Sequence, residues 1–199
     1  MEKIKKKYLF LIIIVIIGFI VGILFSNILS NEDSKLVANK ITEYFNNLRD
    51  DVKIDYFKNL LTSLKNNLLY LSIIWILGLG IIGLLINNFI LFFKSFILGF
   101  SVGSIINIYL YSGLILSFFY VFPSLLLNIL VFTIMTYYAN LFSLKIFNVL
   151  FKKKEFRFSL LIKRYTKILI YLTIVLVISS ILETFVMPFG IKLFSFLIK

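Results

Sequence analysis

The sequence predicts an all-α membrane protein: a polytopic helix bundle of about five transmembrane helices, with an amphipathic helical segment outside the membrane. Of its 199 residues, 61% are hydrophobic and 15% are charged, whereas a soluble domain carries about a quarter charged residues. The apolar residues form long runs, and the charges cluster at the ends of these runs. These observations predict a single integral membrane domain, residues 1–199.

Each apolar run is close to the length of about 20 residues that a helix needs to cross a bilayer. The first run follows the basic start MEKIKKK and is longer than the apolar core of a secretory signal, so we interpret it as an uncleaved anchor. The predicted spans are residues 8–29, 68–93, 95–111, 123–144 and 168–187.

Basic residues predict the orientation of the spans. Four lysines precede the first span, and a second basic group, Lys152 to Lys167, lies in the predicted loop 145–167. Both groups are expected in the cytoplasm, where Lys and Arg accumulate beside membrane spans. Lys94 is predicted to mark the cytoplasmic turn between the second and third spans. The N-terminus is therefore expected to be cytoplasmic, and the C-terminus extracytoplasmic.

The segment 31–67 differs from the other connections because its acidic and basic residues balance, which favours the extracytoplasmic side. Its apolar residues recur at spacings of three and four, the pattern of one face of an amphipathic helix. That face would pack on the bilayer or on the chain's own bundle. The alternative is a docking face for an extracytoplasmic partner, because large rigid aromatics often anchor interfaces. The candidate docking residues are Tyr44, Phe45, Leu48, Tyr56 and Phe57.

A proline interrupts the apolar region that precedes the fourth span. Pro123 breaks or kinks a helix, so residues Leu114 to Phe122 are expected to form a short half-helix before the crossing begins. Non-helical backbone at that depth must be shielded by protein.

Small residues recur every four positions in the first and third spans, and such stripes let helix backbones approach closely. Packing within one chain is the favoured interpretation, and a homodimer seam is the alternative. The residues are Gly18 and Gly22 in the first span, and Gly99 and Gly103 in the third.

The residue types argue against catalysis. The chain contains no His and no Cys, which excludes Ser-His arrangements, zinc metalloprotease helices and thiol chemistry. No pair of acids lies in facing spans, and no phosphate-binding loop appears. A Ser-Lys dyad stays open, but nothing selects one. We therefore expect no enzyme, no cofactor and no metal. Despite a net charge of +12, no soluble basic domain is present to bind nucleic acid.

Glu183 is a lone carboxylate in the apolar stretch ILETFVMPFG of the last span. An ionised carboxylate facing lipid is costly, so Glu183 is expected to face the bundle. Three roles remain open: a structural hydrogen-bond or helix-end partner, a proton or ion site, and a contact with another subunit. The structural role is favoured because no second acid is available to form a relay.

Four blocks of sequence, in register over most of the chain, resemble the stage II sporulation protein M family. They are NNLLYLSIIWILGLGIIG from Asn66, FKSFILGFSVG from Phe93, FP at Phe122 and LETFVMP from Leu182. The resemblance implies buried polar or structural roles for Glu183, Asn128, Pro123 and Pro188. The chain departs from the family pattern at Ser95, where the family usually has Gly, and at Asn128, which stands where the wider family often has a Glu shortly after the proline.

The resemblance implies a non-catalytic protein of the mother-cell membrane in endospore formers. It implies partnership with two anchored peptidoglycan-cleaving enzymes during engulfment, a lytic transglycosylase and an amidase-endopeptidase. The second hypothesis is a permease-like membrane subunit that partners an ABC-type ATPase. Its coupling helix would have to lie in FKKKEFRFSLLIKR, from Phe151, and a basic loop of this kind more often contacts lipid.

Overall fold

The computed structural model describes residues 2–49, 55–121, 124–152 and 158–193, and these residues are almost entirely α-helical. Within this part of the chain the elements, in order, are α1 (Glu2–Ile28), α2 (Asn31–Arg49), α3 (Tyr56–Gly78), α4 (Gly83–Val121), α5 (Ser124–Lys152) and α6 (Phe158–Leu193). All of them except α2 are long and apolar enough to cross a membrane, which makes five candidate spans in the described residues. The predicted fold class is confirmed.

The helices define two ends of the bundle. α1 and α6 start at one end together with Lys6, Lys7, Lys163 and Arg164, and we call this the basic end. α2 lies at the other end, where it contacts α4 and α6, and we call this the α2 end. A contact between aromatic rings shows which residues of α1 and α5 lie at the same level near the basic end. Tyr8 of α1 stacks on Tyr137 of α5 near the basic end, with ring centroids 4.0 Å apart.

The turn between α3 and α4 corrects the predicted second and third spans. It lies at residues 79–82, so α3 begins and ends earlier than the predicted span 68–93, and Lys94 lies inside α4. Hydropathy could not locate this turn because apolar residues continue through it. The residue type that marks this turn in the sequence is glycine. Gly83 lies against the backbone of Leu77, where a Cβ atom has no room.

The start of α3 also shortens the predicted extracytoplasmic segment 31–67. Asp55 caps α3, its carboxylate accepting a hydrogen bond of 3.0 Å from the backbone N–H of Lys58. Residues 56–67 therefore belong to a candidate span, and among the described helices α2 alone lies outside the spans. The predicted loop 145–167 is similarly reduced, because α5 continues to Lys152 and α6 begins at Phe158.

α4 reverses direction at Leu110, a non-glycine residue with φ of 50°. After the reversal, Gly113 lies so close to the first arm that an added Cβ would be 2.7 Å from the Cα of Ile106. Near the end of the second arm, Tyr120 lines the same cavities as Ser101 of the first arm. Residues 111–121 therefore return into the bundle as the half-helix that the sequence predicted, starting slightly earlier than Leu114.

The half-helix places the start of α5 within the bundle. Ser124 is fully buried, and its backbone carbonyl accepts a hydrogen bond of 2.8 Å from Ser179 of α6. This contact ties the start of α5 to α6 inside the bundle. Pro123, which motivated the half-helix prediction, lies outside the described residues.

Buried apolar side chains form two clusters. The larger one joins α1, α3, α4, α5 and α6 through the middle and toward the basic end, and includes Leu71, Leu91, Met135 and Leu176. The smaller one lies at the α2 end, where α2 packs on both arms of α4 and on α6, and consists of Phe45, Leu48, Ile105, Leu116, Met187 and Ile191. The amphipathic face of α2 is therefore part of the bundle.

Candidate functional site: a polar cluster around Glu183

Glu183 lies on α6, half-buried, and faces α3. Its Oε2 accepts a hydrogen bond of 2.7 Å from the hydroxyl of Ser63. A short hydrogen bond to a charged acceptor is stronger than one between neutral groups. The contact joins two helices that are 120 positions apart in sequence.

Ser180 and Asn67 extend this contact into a cluster between α3 and α6. The amide of Asn67 donates to the hydroxyls of Ser63 and Ser180, at 3.3 Å in each case. The Ser63 hydroxyl lies 2.7 Å from Glu183 and 3.2 Å from Ser180, and its single proton favours the closer acceptor, Oε2 of Glu183. Four polar side chains thus satisfy one another in a setting where lipid offers no partner.

Lys94 places a cation deeper in the bundle. Its Nζ lies 3.4 Å from the centroid of the Tyr70 ring and 5.6 Å from that of Phe132, the geometry of a cation–π contact. The carboxylate of Glu183 also attracts it electrostatically. An ionisable residue within a span is costly and marks a candidate functional site.

A cavity of about 110 Å³ lies between Lys94 and the α2 end, and we call it the Lys94 cavity. Its lining includes Lys94, Asn67, Ser101, Tyr120 and Asn128. Asn128 is buried, and its Oδ1 has no hydrogen-bond partner among the described residues. The structure thus brings the sequence-selected Asn128 close to Lys94.

Two further cavities flank Glu183. One of about 470 Å³ lies under α2, is lined by Tyr44, Phe45, Ser104 and Glu183, and shares Ser101 and Tyr120 with the Lys94 cavity. The second is a groove of about 240 Å³ between α2, α3 and α6, which we call the Glu183 groove. Its lining residues are Tyr44, Asn59, Thr62, Ser63, Asn66, Glu183, Thr184, Met187 and Pro188.

Pro188 and Tyr44 shape the Glu183 groove. Pro188 lies within α6, five positions after Glu183, where its ring removes a backbone N–H from the helix. Tyr44 lies on α2. Burial, with smaller contributions from Tyr120 and the charge of Glu183, raises the pKa of the Tyr44 hydroxyl. This hydroxyl therefore stays protonated and available as a donor.

The glycine stripes of α1 and α4 face one another. A Cβ at Gly18 would lie 2.6 Å from the carbonyl oxygen of Phe92, and one at Gly99 would lie 2.8 Å from the carbonyl carbon of Phe19. Gly22 and Gly103 make equally close approaches one turn further along. All four lie in a seam within this chain, as the favoured interpretation expected.

The candidate docking residues separate into two groups. Phe45 and Leu48 are 1% and 5% exposed, and Phe45 stacks on Tyr109 of α4, so the prediction that they form a docking face is wrong. The reason is that the apolar face of α2 packs on its own bundle. Tyr44, Tyr56 and Phe57 are 40%, 43% and 70% exposed.

The chemistry of the cluster is that of binding and packing. Within the described ranges, no group of three His, Cys, Asp or Glu residues lies close enough to hold a metal. Glu183 offers one carboxylate, and its neighbours offer hydroxyl and amide groups. The arrangement can hold helices together, or it can accept a hydrogen bond from a partner or pair with a positive charge on a partner.

The fold and this site define a multi-pass α-helical membrane protein whose buried polar groups join its helices. The family model described as SpoIIM, stage II sporulation protein M, matches residues 11–188. The chain belongs to this family, and the predicted resemblance is confirmed. No curated protein and no solved structure matches the chain. Family membership makes it a sporulation membrane protein.

Proposed function

We propose that this protein is a non-catalytic scaffold in the mother-cell membrane, which recruits and positions peptidoglycan-degrading enzymes during endospore engulfment. The observation that carries the proposal, beside family membership, is that α2 covers the bundle at the α2 end by packing on α4 and α6. There α2 turns its apolar face to the bundle and leaves its polar face directed away from the spans, and the exposed aromatics Tyr56 and Phe57 begin α3. This end is the part of the described chain best suited to contact a partner outside the membrane.

Charge supports the orientation that the scaffold requires. The basic end carries Lys6, Lys7, Lys145, Lys163 and Arg164. Because Lys and Arg accumulate on the cytoplasmic side of spans, this end belongs in the cytoplasm. The α2 end then faces the wall, and the C-terminus is extracytoplasmic.

The partner contact is proposed at the Glu183 groove and at the exposed aromatic side chains that begin α3. Tyr56 stacks on Phe185, with ring centroids 5.6 Å apart and planes 9° from parallel, and Phe57 follows it at the start of α3. Rigid aromatic side chains bury area at little entropic cost and anchor interfaces. Glu183 adds an acceptor for a donor or a cation on the partner, which would be a lytic transglycosylase or an amidase-endopeptidase.

The test is a paired measurement of membrane abundance and of partner recovery. Tyr56→Ser combined with Phe57→Ser should leave abundance unchanged and reduce co-purification of both enzymes several-fold. Phe10→Ser is the matched control, because Phe10 is 54% exposed but lies near the basic end. Phe45→Ser should instead lower abundance, because Phe45 is a core residue. If abundance of the double variant falls in step with partner recovery, these aromatics pack the protein and dock nothing.

One observation favours the permease-like alternative. Ser143 of α5 donates a hydrogen bond of 3.0 Å to the carbonyl of Gly78 at the end of α3, so residues 145–152 continue beyond the α3–α4 turn together with the start of α6. This extension carries Lys145, Lys163 and Arg164 with the exposed Phe147 and Phe151, and an ATPase could dock on it. Lys163→Glu with Arg164→Glu would then abolish co-purification of an ATPase. The scaffold hypothesis expects this variant to recover the wall enzymes normally.

A further inference from the structure

A groove of about 250 Å³ lies at the basic end where α1, α4 and α5 meet, far from Glu183. We call it the α1 groove. Its lining combines two cations with amides and an apolar wall. The lining residues are Lys6, Lys7, Phe10, Leu11, Leu84, Asn88, Tyr137, Asn140, Leu141 and Leu144.

We place the groove at the level of lipid headgroups, because Lys6 and Lys7 stand at the start of the candidate span Lys6–Ile28 and basic side chains accumulate where a span meets the cytoplasm. Lys6 and Lys7 lie directly before Tyr8, near the start of α1, and both are exposed. Their ammonium groups therefore lie at the height of lipid phosphates.

The amides form a polar wall beside the lysines. Asn140 donates a hydrogen bond of 2.7 Å to Oδ1 of Asn88, and Asn88 donates one of 2.8 Å to the carbonyl of Leu84. Oδ1 of Asn140 is buried and has no partner within the described residues. A buried acceptor of this kind is costly until it receives a donor.

The rest of the groove is apolar. Leu11 is 2% exposed and forms its floor, and Phe10 is 54% exposed beside it. This surface continues along α1 into the lipid-facing side of the bundle, where Ile13 and Ile17 are also exposed. An occupant therefore needs a negative head, a hydrogen-bond donor and an apolar tail.

We propose that the α1 groove binds one anionic phospholipid of the phosphatidylglycerol type. Its phosphate pairs with the ammonium groups of Lys6 and Lys7, and a headgroup hydroxyl donates to Oδ1 of Asn140. An acyl chain follows Phe10 into the bilayer. Phosphatidylcholine lacks both the net negative charge and the headgroup donor. The site does not depend on the scaffold function, because it lies at the opposite end of the molecule.

Native mass spectrometry of the purified protein, delipidated and supplied with phosphatidylglycerol or phosphatidylcholine, tests the proposal. Wild type should retain one phosphatidylglycerol and no phosphatidylcholine. Lys6→Gln with Lys7→Gln should weaken retention by about fivefold for each lysine. Lys35→Gln with Lys40→Gln is the matched control, because it removes two exposed lysines at the α2 end and should change nothing.

A second variant separates a groove from diffuse charge. Leu84→Trp fills the groove and keeps both lysines, so it should abolish retention while the protein melts as wild type does. Equal retention of the two lipids would overturn the proposal. So would equal losses in the two lysine pairs, or unchanged retention in Leu84→Trp.

Discussion

Glu183 shows how one carboxylate becomes tolerable in a membrane span. Its hydrogen bond from Ser63 and the neighbouring Ser180 and Asn67 supply polar partners that lipid cannot. The cost of exposing a charge to lipid predicted that Glu183 faces the bundle, and the contact with α3 agrees with that orientation. Whether the side chain also contacts a partner enzyme stays a prediction.

The first prediction compares Glu183→Gln with Glu183→Leu. Gln retains an oxygen acceptor for Ser63 and should unfold in detergent within about 1 kcal/mol of wild type. Leu removes that acceptor and leaves the half-buried Ser63 hydroxyl only its longer contact with Ser180, so it should cost about 1–3 kcal/mol. Thermal unfolding of the solubilised protein measures both variants. Glu43→Leu, at an exposed acid on α2, is the control and should be near neutral. Equal destabilisation by Gln and Leu would show that the charge, and not the hydrogen bond, supports the fold.

The partners of Glu183 could not be predicted from the sequence. Ser63 and Asn67 lie one turn apart on α3, a spacing that signals a polar face, but serines and asparagines occur throughout this chain. Their pairing with α6 depends on tertiary contacts between distant residues. Lys94 was misplaced for a different reason, because a single lysine was taken as a turn marker, whereas its ammonium group is accommodated by Tyr70.

At the scale of elements, α2 shows the limit of periodicity. The spacing of its apolar residues predicted an amphipathic helix, which the structure contains, but the same spacing suits a bilayer surface, a partner or the chain's own bundle. Only packing decides among these, and Phe45 packs on Tyr109. The half-helix was better determined, because a proline in an apolar region that precedes a span favours a break or a kink there.

The α1–α4 seam gives the second prediction. Gly99→Ala should destabilise the protein by about 1–3 kcal/mol, because its Cβ would lie 2.8 Å from a backbone carbon of α1, and backbone has little freedom to move. Gly80→Ala is the matched control, since the nearest atom to its Cβ is 3.7 Å away. Thermal unfolding in detergent compares the two. If both variants unfold alike, close approach of α1 to α4 is not needed for stability.

At the scale of the whole molecule, the third prediction is orientation. The chain has no Cys, so single cysteines can be introduced without background. A membrane-impermeant thiol reagent should label Asn47→Cys in intact cells and label Lys163→Cys only after the membrane is opened, because basic residues remain in the cytoplasm. Both sites are exposed on helix surfaces. The reverse pattern would place α2 in the cytoplasm and end the scaffold proposal.

The central claim is that the α2 end contacts wall-degrading enzymes, and site-specific cross-linking in an endospore-forming host tests it most directly. A photoreactive amino acid replaces Phe57 at the α2 end or, as control, Phe10 near the basic end. Irradiation during engulfment should join the Phe57 position to the lytic transglycosylase or the amidase-endopeptidase, and the Phe10 position to neither. Adducts of equal yield at both positions, or none at Phe57 while the protein is present at normal abundance, would contradict the account.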